Sequence, residues 1–404
     1  MPISTRCPQL NVDYSSVLVR FGEIGIKSKQ TRRRMTALLA KHLKSALIES
    51  NTKFSDVRVE YGRIFIITDE AEQAARTAAR VFGVVSTSPV VETTSDKEEI
   101  LDTGEALARK YFKKGFSFAV DGRRTGNHDY TSQEIRGLLG ERILEGIPEL
   151  TLTVDLSSPE QSIYVEVRDE RAYLFVETIN GVGGMPTGSQ GKAVCTVSTG
   201  LDSPVAAYKV MKRGVVPVFV YYDNSPHSES RCADIATRQA QLLANYIYDY
   251  DVKLYIVQHW PDLEDAIGHG PEKMICLFCK RNMMRIAREI AIIEHADVIV
   301  TGEIIGEQAS QTTANLRTIE NAVTDFPILR PLAGDDKVDI EHLAQKIGTY
   351  QFSSEGAVCC DLAPKYPSIS SKVEEAVEAE ETMDVSILQS ELKNAQILYL
   401  RKKK

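Results

Sequence analysis

The 404-residue sequence has no apolar run that approaches the roughly 18 residues needed to cross a membrane. Its seven cysteines are too few for a disulfide scaffold, and its first residues lack the apolar centre of a secretory signal. Two common phosphate-binding motifs are also missing. No G-x-G-x-x-G follows a predicted strand, and a Walker loop ending at Gly191 would need glycine at Pro186 and serine or threonine at Ala193. These absences argue against membrane and disulfide-rich secreted proteins and make a reducing cytoplasm the expected location.

The composition is that of a globular protein, with 43% apolar and 26% charged residues. The length predicts two or three domains, because one hydrophobic core rarely serves so long a chain. The net charge of −8 argues against a polyanionic partner. However, residues 1–50 carry nine basic and three acidic side chains, so a polyanion would have to dock on the N-terminal side.

Two blocks of mixed strands and helices precede residue 180. The first has a strand at 15–20, a helical apolar stripe at 29–47, a hairpin at 58–69 and a second helix ending at Gly83, which indicates a small α+β layer. The second has a helix at 132–145, followed by three segments that alternate apolar and polar residues like half-buried strands.

A third block follows the glycine-rich stretch GVGGMPTGSQG (181–191), which indicates a linker or a close-approach loop. Short, continuously apolar strands then alternate with helical segments, which predicts a parallel sheet covered on both faces. Ligands bind at the carboxyl ends of the strands in such sheets. The predicted strands are VCTV, VVPVFVYY, VKLYIVQH and DVIVTGE.

The turn STGLDS (198–203) lies at such a strand end. Its small residues would let backbone N–H groups reach phosphate oxygens, and Pro204 suits the first turn of the helix that follows. Either Ser203 or Asp202 is expected to cap that helix. A carboxylate there would repel phosphate unless a metal ion or a cleavage reaction is involved. The alternative is an ordinary turn with a capping aspartate.

The turn resembles the S-G-G-x-D-S loop of PP-loop ATP pyrophosphatases, with Thr199 in place of the first glycine. Further stretches resemble, in order, the tRNA 4-thiouridine synthetase family. They are GEIGIKSKQTRRRM, GRRTGNHDYTS, GVGGMPTGSQG, TGEIIGEQASQTTANLRTIE, ILRPLAGDDKVDI, IGTYQF and AEETMDVSIL. The resemblance implies a multidomain fold with an α+β ferredoxin-like domain at 1–75, a THUMP RNA-binding domain at 76–180 and an α/β PP-loop domain at 181–404.

The resemblance also implies the active-site residues. The catalytic aspartate falls on Asp202, the functional lysine on Lys337, and the active cysteine, in a C-x-x-x-x-K-x-P context, on Cys360. ATP is the implied nucleotide, and Mg²⁺ would make the carboxylate tolerable beside pyrophosphate. The implied ATP contacts are Thr196, Val197, Ser198, Gly200, Ser203, Tyr221, Tyr222, Lys280, Gly302 and Gln311. For the two tyrosines, packing of the side chains within the sheet is the alternative.

The implied reaction adenylates O4 of a tRNA uridine, at position 8 in this family, and replaces that oxygen with sulfur. A persulfide protein or sulfide would be the donor. Members of the family also load sulfur onto a ThiS-type carrier protein for the thiazole of thiamine, and often work as homodimers. Two other functions remain open: a different PP-loop adenylating enzyme, and a non-catalytic THUMP protein that only binds RNA.

Cysteines suggest how sulfur is handled. No segment before Lys404 resembles a rhodanese-like domain, which implies the rhodanese-lacking type of the family, whose members carry three cysteines that fall on Cys276, Cys279 and Cys360. These three would suit an iron–sulfur cluster with one open iron. Zinc with Cys359 as fourth ligand, a redox disulfide between Cys276 and Cys279, and inert buried thiols are the alternatives. The remaining cysteines are expected to pack in the interior: Cys7, Cys195 and Cys232.

Basic side chains near the N-terminus are candidates for RNA phosphate contacts, although a solvated helix face explains several of them equally well. His128 and Tyr130 are candidates for stacking on a base, with core packing as the alternative. The candidate phosphate contacts are Lys27, Lys29, Arg32, Arg33, Arg34, Arg123 and Arg124.

Overall fold

The computed structural model of the protein describes residues 12–60, 62–384 and 386–403. Cys7, for which packing is expected, lies outside these residues. The chain divides into two compact units, residues 1–185 and 186–404. This division falls inside the glycine-rich stretch 181–191. In the described part of the chain, no helix is long and apolar enough to span a membrane.

The first unit is built around one mixed sheet. Its strands are β1 (Ser16–Phe21), β2 (Asp56–Glu60), β3 (Arg63–Ile67), β4 (Val84–Thr94), β5 (Ser117–Thr125), β6 (Thr153–Val154), β7 (Gln161–Arg168), β8 (Arg171–Phe175) and β9 (Ile179–Asn180). Its helices are α1 (Lys29–Glu49), α2 (Ala71–Ala79), α3 (Lys97–Tyr111) and α4 (Ser132–Gly146). The strand order is β2-β3-β1-β4-β8-β7-β5-β6, and β9 pairs with β4.

The first half of this unit runs β1-α1-β2-β3-α2-β4, and its sheet order of β2-β3-β1-β4 is that of a ferredoxin-like fold. The long strand β4 belongs to both halves of the unit: it pairs with β1 from Val84 onward and with β8 at its other end. The α+β prediction is therefore confirmed. The helix predicted to end at Gly83 ends earlier, at Ala79.

Helix α1 forms as its apolar stripe predicts. The hydroxyl of Ser28 accepts a hydrogen bond from the backbone N–H of Thr31 and caps the helix, while Met35, Leu39 and Leu43 are buried. The candidate RNA contacts Lys27, Lys29, Arg32, Arg33 and Arg34 are all exposed to solvent.

The second unit contains the predicted parallel sheet. Its strands are β10 (Lys192–Thr196), β11 (Val216–Asp223), β12 (Val252–Gln258), β13 (Val298–Val300), β14 (Ile328–Leu329) and β15 (Gln396–Arg401). Its helices are α5 (Asp202–Lys212), α6 (Cys232–Ala244), α7 (Trp260–His269), α8 (Ile275–Glu294), α9 (Thr313–Glu320), α10 (Lys337–Ile347), α11 (Tyr350–Ser353), α12 (Val373–Glu380) and α13 (Ser386–Lys393). The strand order is β14-β13-β10-β11-β12-β15.

Strand β10 determines where a ligand can bind. It pairs in parallel with β11 on one side and with β13 on the other. The chain therefore runs from β10 through β11 to β12 on one side and then crosses to β13 on the other. A crevice opens at such a switch point, just outside the carboxyl end of the strand. The predicted parallel sheet has one further strand at its edge, β15, which pairs antiparallel to β12.

Candidate active site

The loop that follows β10 is braced by its own serines. The backbone N–H of Ser198 donates to the hydroxyl of Ser203 at 2.8 Å, and the two hydroxyls lie 2.8 Å apart. The N–H of Gly200 donates to the Ser198 hydroxyl at 3.2 Å. From α6, the amide of Gln239 donates to the carbonyl of Ser198 at 3.1 Å. The loop therefore has a defined shape at the carboxyl end of the central strand.

Helix α5 begins at Asp202, with Leu201 in the capping position and no side-chain cap. The prediction that Asp202 or Ser203 caps the helix is wrong. Both side chains are used elsewhere: the Ser203 hydroxyl braces the loop, and the Asp202 carboxylate pairs with a lysine from another helix.

That lysine is Lys337, the first residue of α10. Its ammonium donates to Asp202 Oδ1 at 2.7 Å and to Glu307 Oε1 at 2.6 Å, so one cation lies between two carboxylates. Burial raises the pKa of the Asp202 carboxyl above its ordinary value, although the hydrogen bond from Lys337 opposes this rise. Burial alone would lower the pKa of the Lys337 ammonium. The hydrogen bonds from Lys337 to the two carboxylates outweigh this effect, so its pKa is raised above the ordinary value.

A second charged group lies beyond the end of β13. Lys280 of α8 donates to Glu303 Oε1 at 3.2 Å, and Arg330 donates to Glu303 Oε2 at 2.8 Å. Burial disfavours the Glu303 charge, but the two cations hold the pKa of its carboxyl below its usual value. Glu303, Glu307 and Arg330 were not singled out from the sequence. Their signal is acidic residues at 303 and 307 in the quoted stretch TGEIIGEQ and a basic residue in ILRP.

Gly302 allows two backbone segments to meet. A Cβ atom at this position would lie 2.6 Å from both Cα and N of Ser203, at the start of α5. No side chain fits there, because real Cβ atoms do not approach backbone so closely. Gly302 therefore determines how near the end of β13 lies to the loop.

Thr196 and Val197, both predicted ATP contacts, are buried at the end of β10. The Thr196 hydroxyl donates to the carbonyl of Val300 at 3.2 Å, and the N–H of Val197 donates to the carbonyl of Val220 at 2.9 Å. Gln311 is also buried, and its side-chain Oε1 atom has no hydrogen-bond partner among the described residues.

The two tyrosines at the end of β11 are not equivalent. Successive residues of a strand point to opposite faces of the sheet. The hydroxyl of Tyr222 donates to the carbonyl of Met283 at 2.5 Å, and its ring packs edge-on against His259. Tyr221 lies near the charges of Asp223 and Cys359. The side chain of Tyr222 is therefore a packing element, as the alternative interpretation allowed.

The cysteines of α8 lie near Cys360. Burial, with the charges of Cys279 and Cys360, raises the pKa of Cys276 to about 11. The sulfur of Cys279 lies 3.5 Å from Nε2 of the buried His259.

All cysteines in the described residues are free thiols. Within the same residues, no group of three or more His, Cys, Asp or Glu is arranged to hold a metal ion. The three thiols are neighbours but are not arranged as a ligand set.

Cys359 makes contacts that were not predicted. Its sulfur lies 2.7 Å from the Thr199 hydroxyl in the loop and 2.9 Å from the sulfur of Cys232 at the start of α6. The expectation that Cys232 is simply a packing residue is therefore incomplete. Cys195, by contrast, is fully buried in β10, as expected.

In the first unit, His128 and Tyr130 stack on each other rather than facing solvent together. Their ring centroids are 5.4 Å apart, and the buried Tyr130 donates to the carbonyl of Ser95 at 2.6 Å. His128 also contacts Arg124 at 3.2 Å and the carbonyl of Asp169 at 2.6 Å. These contacts favour the packing role for Tyr130.

A short loop at the switch point of a parallel sheet, with a carboxylate and lysines around it, defines an α/β nucleotide-binding domain of the PP-loop class. Comparisons with known proteins agree. The sequence matches the models for the ThiI ferredoxin-like domain at residues 16–88, the THUMP domain at 94–177 and the thiamine biosynthesis protein (ThiI) at 188–385.

The chain is 38% identical over 387 residues to the probable tRNA sulfurtransferase of Methanosarcina mazei, which covers 95% of both chains. Its identity to the corresponding protein of Methanobrevibacter smithii is 37%, over 91% of this chain and 95% of the relative. A crystal structure of a 4-thiouridine synthetase–RNA complex with bound ATP superposes with a TM-score of 0.86 at 28% identity, covering 96% of this chain and 100% of the other. The chain belongs to the tRNA sulfurtransferase family of enzymes.

Gly302→Ala is expected to push the end of β13 away from the start of α5. The clash is with backbone, so the variant should lose about 1–3 kcal/mol of unfolding free energy and bind ATP more weakly. Denaturant titration and ATP-binding calorimetry measure the two effects. Gly334→Ala is the matched control, because a Cβ there meets nothing within 4 Å. Unchanged ATP affinity in Gly302→Ala would show that this contact does not shape the site.

Asp202→Asn is expected to stabilise the fold. The pKa of the Asp202 carboxyl is higher in the folded protein than in the unfolded chain, so folding favours the protonated form. The stability that this carboxyl contributes is present below the unfolded pKa and is lost as pH rises through the folded pKa and the group ionises. At pH 7 the variant should therefore melt about 1–3 °C higher, and the difference should disappear in acid. Differential scanning calorimetry across pH tests this.

The control for this prediction is Asp325→Asn. Asp325 pairs with Arg288, which lowers the pKa of the Asp325 carboxyl, so its stability contribution is present at neutral pH and is lost in acid. This variant should melt lower than wild type at pH 7. If Asp202→Asn also melts lower than wild type at pH 7, burial is not the dominant influence on the Asp202 carboxyl.

Proposed function

We propose that this chain is an ATP-dependent tRNA sulfurtransferase that converts a uridine, at position 8, to 4-thiouridine. The observation that carries the proposal is the contact between Asp202 and Lys337, which puts a carboxylate and an ammonium at the mouth of a phosphate-sized loop. A loop of this kind at a helix N-terminus favours the phosphates of a nucleotide. The Lys337 ammonium offsets the negative charge that Asp202 adds.

The first proposed step joins AMP to O4 of the uridine and releases pyrophosphate. Loop 198–203 would hold the phosphates, while the ends of β10, β11 and β13 would hold the rest of the nucleotide. Lys280 faces the same edge, paired with Glu303. The proposed ATP-binding residues are Thr196, Val197, Ser198, Gly200, Ser203, Tyr221, Tyr222 (through its backbone), Lys280, Gly302 and Gln311.

Asp202 and Glu307 supply carboxylate oxygens, the ligand type that Mg²⁺ prefers, at one point beside the loop. Bound there, Mg²⁺ would offset phosphate charge during cleavage. In this structure both carboxylates share the ammonium of Lys337. With Mg²⁺ bound to the carboxylates, that ammonium would be available to the phosphates.

In the second step, sulfur from a persulfide protein or from sulfide attacks C4 and expels AMP, because adenylation has made O4 a leaving group. We propose Cys360 as the cysteine that delivers sulfur from a persulfide protein. The outer sulfur would pass to Cys360 with release of the donor thiol, attack C4 from there, and be freed when a second thiol breaks its S–S bond to Cys360. Sulfide would attack C4 directly. Transfer to a ThiS-type carrier and function as a homodimer are further proposals that rest on the family resemblance.

The assay for this proposal combines the protein, ATP, unmodified tRNA and sulfide, and detects 4-thiouridine by its absorbance and by mass spectrometry of nucleosides. Asp202→Ala and Lys337→Ala should each lower the rate by about 10²-fold or more, since each removes a charge that acts on the reacting phosphates. Lys209→Ala is the control, because Lys209 pairs with Asp335 instead. Tight tRNA binding without any product would favour a non-catalytic RNA-binding protein.

RNA is proposed to bind the first unit, with the THUMP domain assigned to residues 76–180 and the ferredoxin-like domain to 1–75. Exposed cations of α1 offer phosphate contacts. Changing Arg32, Arg33 and Arg34 together to alanine should reduce the slope of log K against log salt by about 2 to 3, if each contacts one phosphate. Filter binding at several salt concentrations measures it.

Arg142→Ala is the control for RNA binding, because Arg142 already pairs with Glu98 and Asp102. An equal loss of slope in the control and in the triple variant would show that overall charge, rather than the face of α1, drives the interaction.

We also propose that Cys276, Cys279 and Cys360 hold an iron–sulfur cluster that handles sulfur. The support is the chemistry of three neighbouring free thiols, which would have to move closer together to hold the cluster. Protein purified without oxygen should be brown and contain iron and acid-labile sulfide, and Cys276→Ala should lose both. Cys195→Ala, buried in β10, should keep them. A colourless wild-type protein with stoichiometric zinc would contradict the cluster.

A further inference from the structure

Two cysteines outside the proposed cluster face each other beside the nucleotide loop. Cys232 is the first residue of α6, Cys359 lies on the segment after α11, and their sulfur atoms are 2.9 Å apart. We propose that Cys232 and Cys359 form a reversible disulfide, which fixes the residue next to Cys360 and so controls sulfur delivery. The control of delivery rests on the proposed function; the disulfide itself does not.

The backbone around both cysteines is already held in place. Val358 and Glu229 are joined by two hydrogen bonds, from the N–H of Val358 to the Glu229 carboxylate at 2.9 Å and from the N–H of Glu229 to the carbonyl of Val358 at 3.0 Å. Arg231 donates to the carbonyl of Gly356 at 2.6 Å. The two thiols therefore meet on opposing segments that are paired without any covalent link.

Further contacts hold the two ends of the same segment. Arg238 of α6 forms two parallel bonds to Glu355, both of 2.8 Å. The N–H of Asp361 donates to the carbonyl of His227 at 3.1 Å. A disulfide forms only between cysteines that already face each other closely, and here the sulfur atoms lie 2.9 Å apart on two segments held at several points. The pair is thus a more direct candidate for oxidation than Cys276 and Cys279, for which no sulfur–sulfur contact is found in the described residues.

Cys359 connects this pair to the reaction. Its sulfur contacts the hydroxyl of Thr199 in the nucleotide loop at 2.7 Å, and its carbonyl accepts a bond from Asn224 at 3.3 Å. Cys360 is the next residue. With both thiols reduced, only non-covalent contacts, including the Arg238–Glu355 ion pair, hold this segment against α6, so Cys360 can move towards a substrate. A disulfide would hold it covalently and restrict that movement.

The reaction requires an oxidant, and the one proposed is a low-molecular-weight disulfide. The thiolate of Cys359, the more accessible of the two, attacks one sulfur of the oxidant, and a first thiol leaves. The Cys232 thiolate then attacks the Cys359 sulfur of the mixed disulfide and expels a second thiol. Two protein thiols lose two electrons and two protons, and one small disulfide becomes two thiols. A dithiol reductant reverses the sequence.

The test treats the full chain with oxidised glutathione, blocks the remaining thiols and maps peptides without reduction. We expect a peptide pair joined through Cys232 and Cys359 in wild type and in Cys195→Ser, and none in Cys232→Ser. Linkage of Cys276 to Cys279, with Cys232 and Cys359 both alkylated, would overturn the proposal. This measurement does not depend on enzyme activity.

The second arm measures the initial rate of tRNA thiolation before and after oxidation. Wild type should slow by about tenfold or more and recover with dithiothreitol, because a restrained Cys360 no longer reaches its target. Cys232→Ser should start at the wild-type rate and slow by less than about twofold. An equal loss of thiolation rate on oxidation in wild type and in Cys232→Ser would overturn the proposal that the disulfide controls sulfur delivery. A mapped disulfide in a chain that makes no 4-thiouridine even when reduced would support the disulfide and contradict the proposed function.

Discussion

The site depends on how one ammonium group is shared between two carboxylates. Asp202 and Glu307 would repel each other and any phosphate if they stood alone, and Lys337 between them removes most of that repulsion. Burial still disfavours the Asp202 charge, so the carboxylate is kept in place at a cost to stability. Such a cost is typical of functional groups rather than structural ones.

The fold brings these charges together from distant parts of the chain. The switch point at β10 opens the crevice, and Gly302 lets the end of β13 lie against the start of α5. A second balanced group, in which Lys280 and Arg330 flank Glu303, borders the same edge of the sheet. Several thiols also lie close to this site. Cys359 contacts the loop directly, and Cys276 lies near Cys360.

The parts of this arrangement that local pattern controls were predictable. Continuously apolar strands identified the parallel sheet, because strands buried on both faces have no polar side. The edge strand β15 was missed although most of QILYLR is apolar, because one short apolar run does not indicate which strand it pairs with. The contact of Asp202 with Lys337 spans 135 residues, so only the family resemblance, and not spacing, linked the two. The Cys232 and Cys359 contact depends on packing between α6 and a loop, for which the sequence carries no periodic signal.

Loop 198–203 is proposed to split ATP between its α- and β-phosphates and so activate a tRNA base. ATP labelled at the α-phosphate, incubated with the protein, tRNA and sulfide, tests this when the labelled products are counted against thiolated uridine. We expect one AMP and one pyrophosphate for each 4-thiouridine formed. ADP and inorganic phosphate as the products, or thiolation without any ATP cleavage, would contradict it.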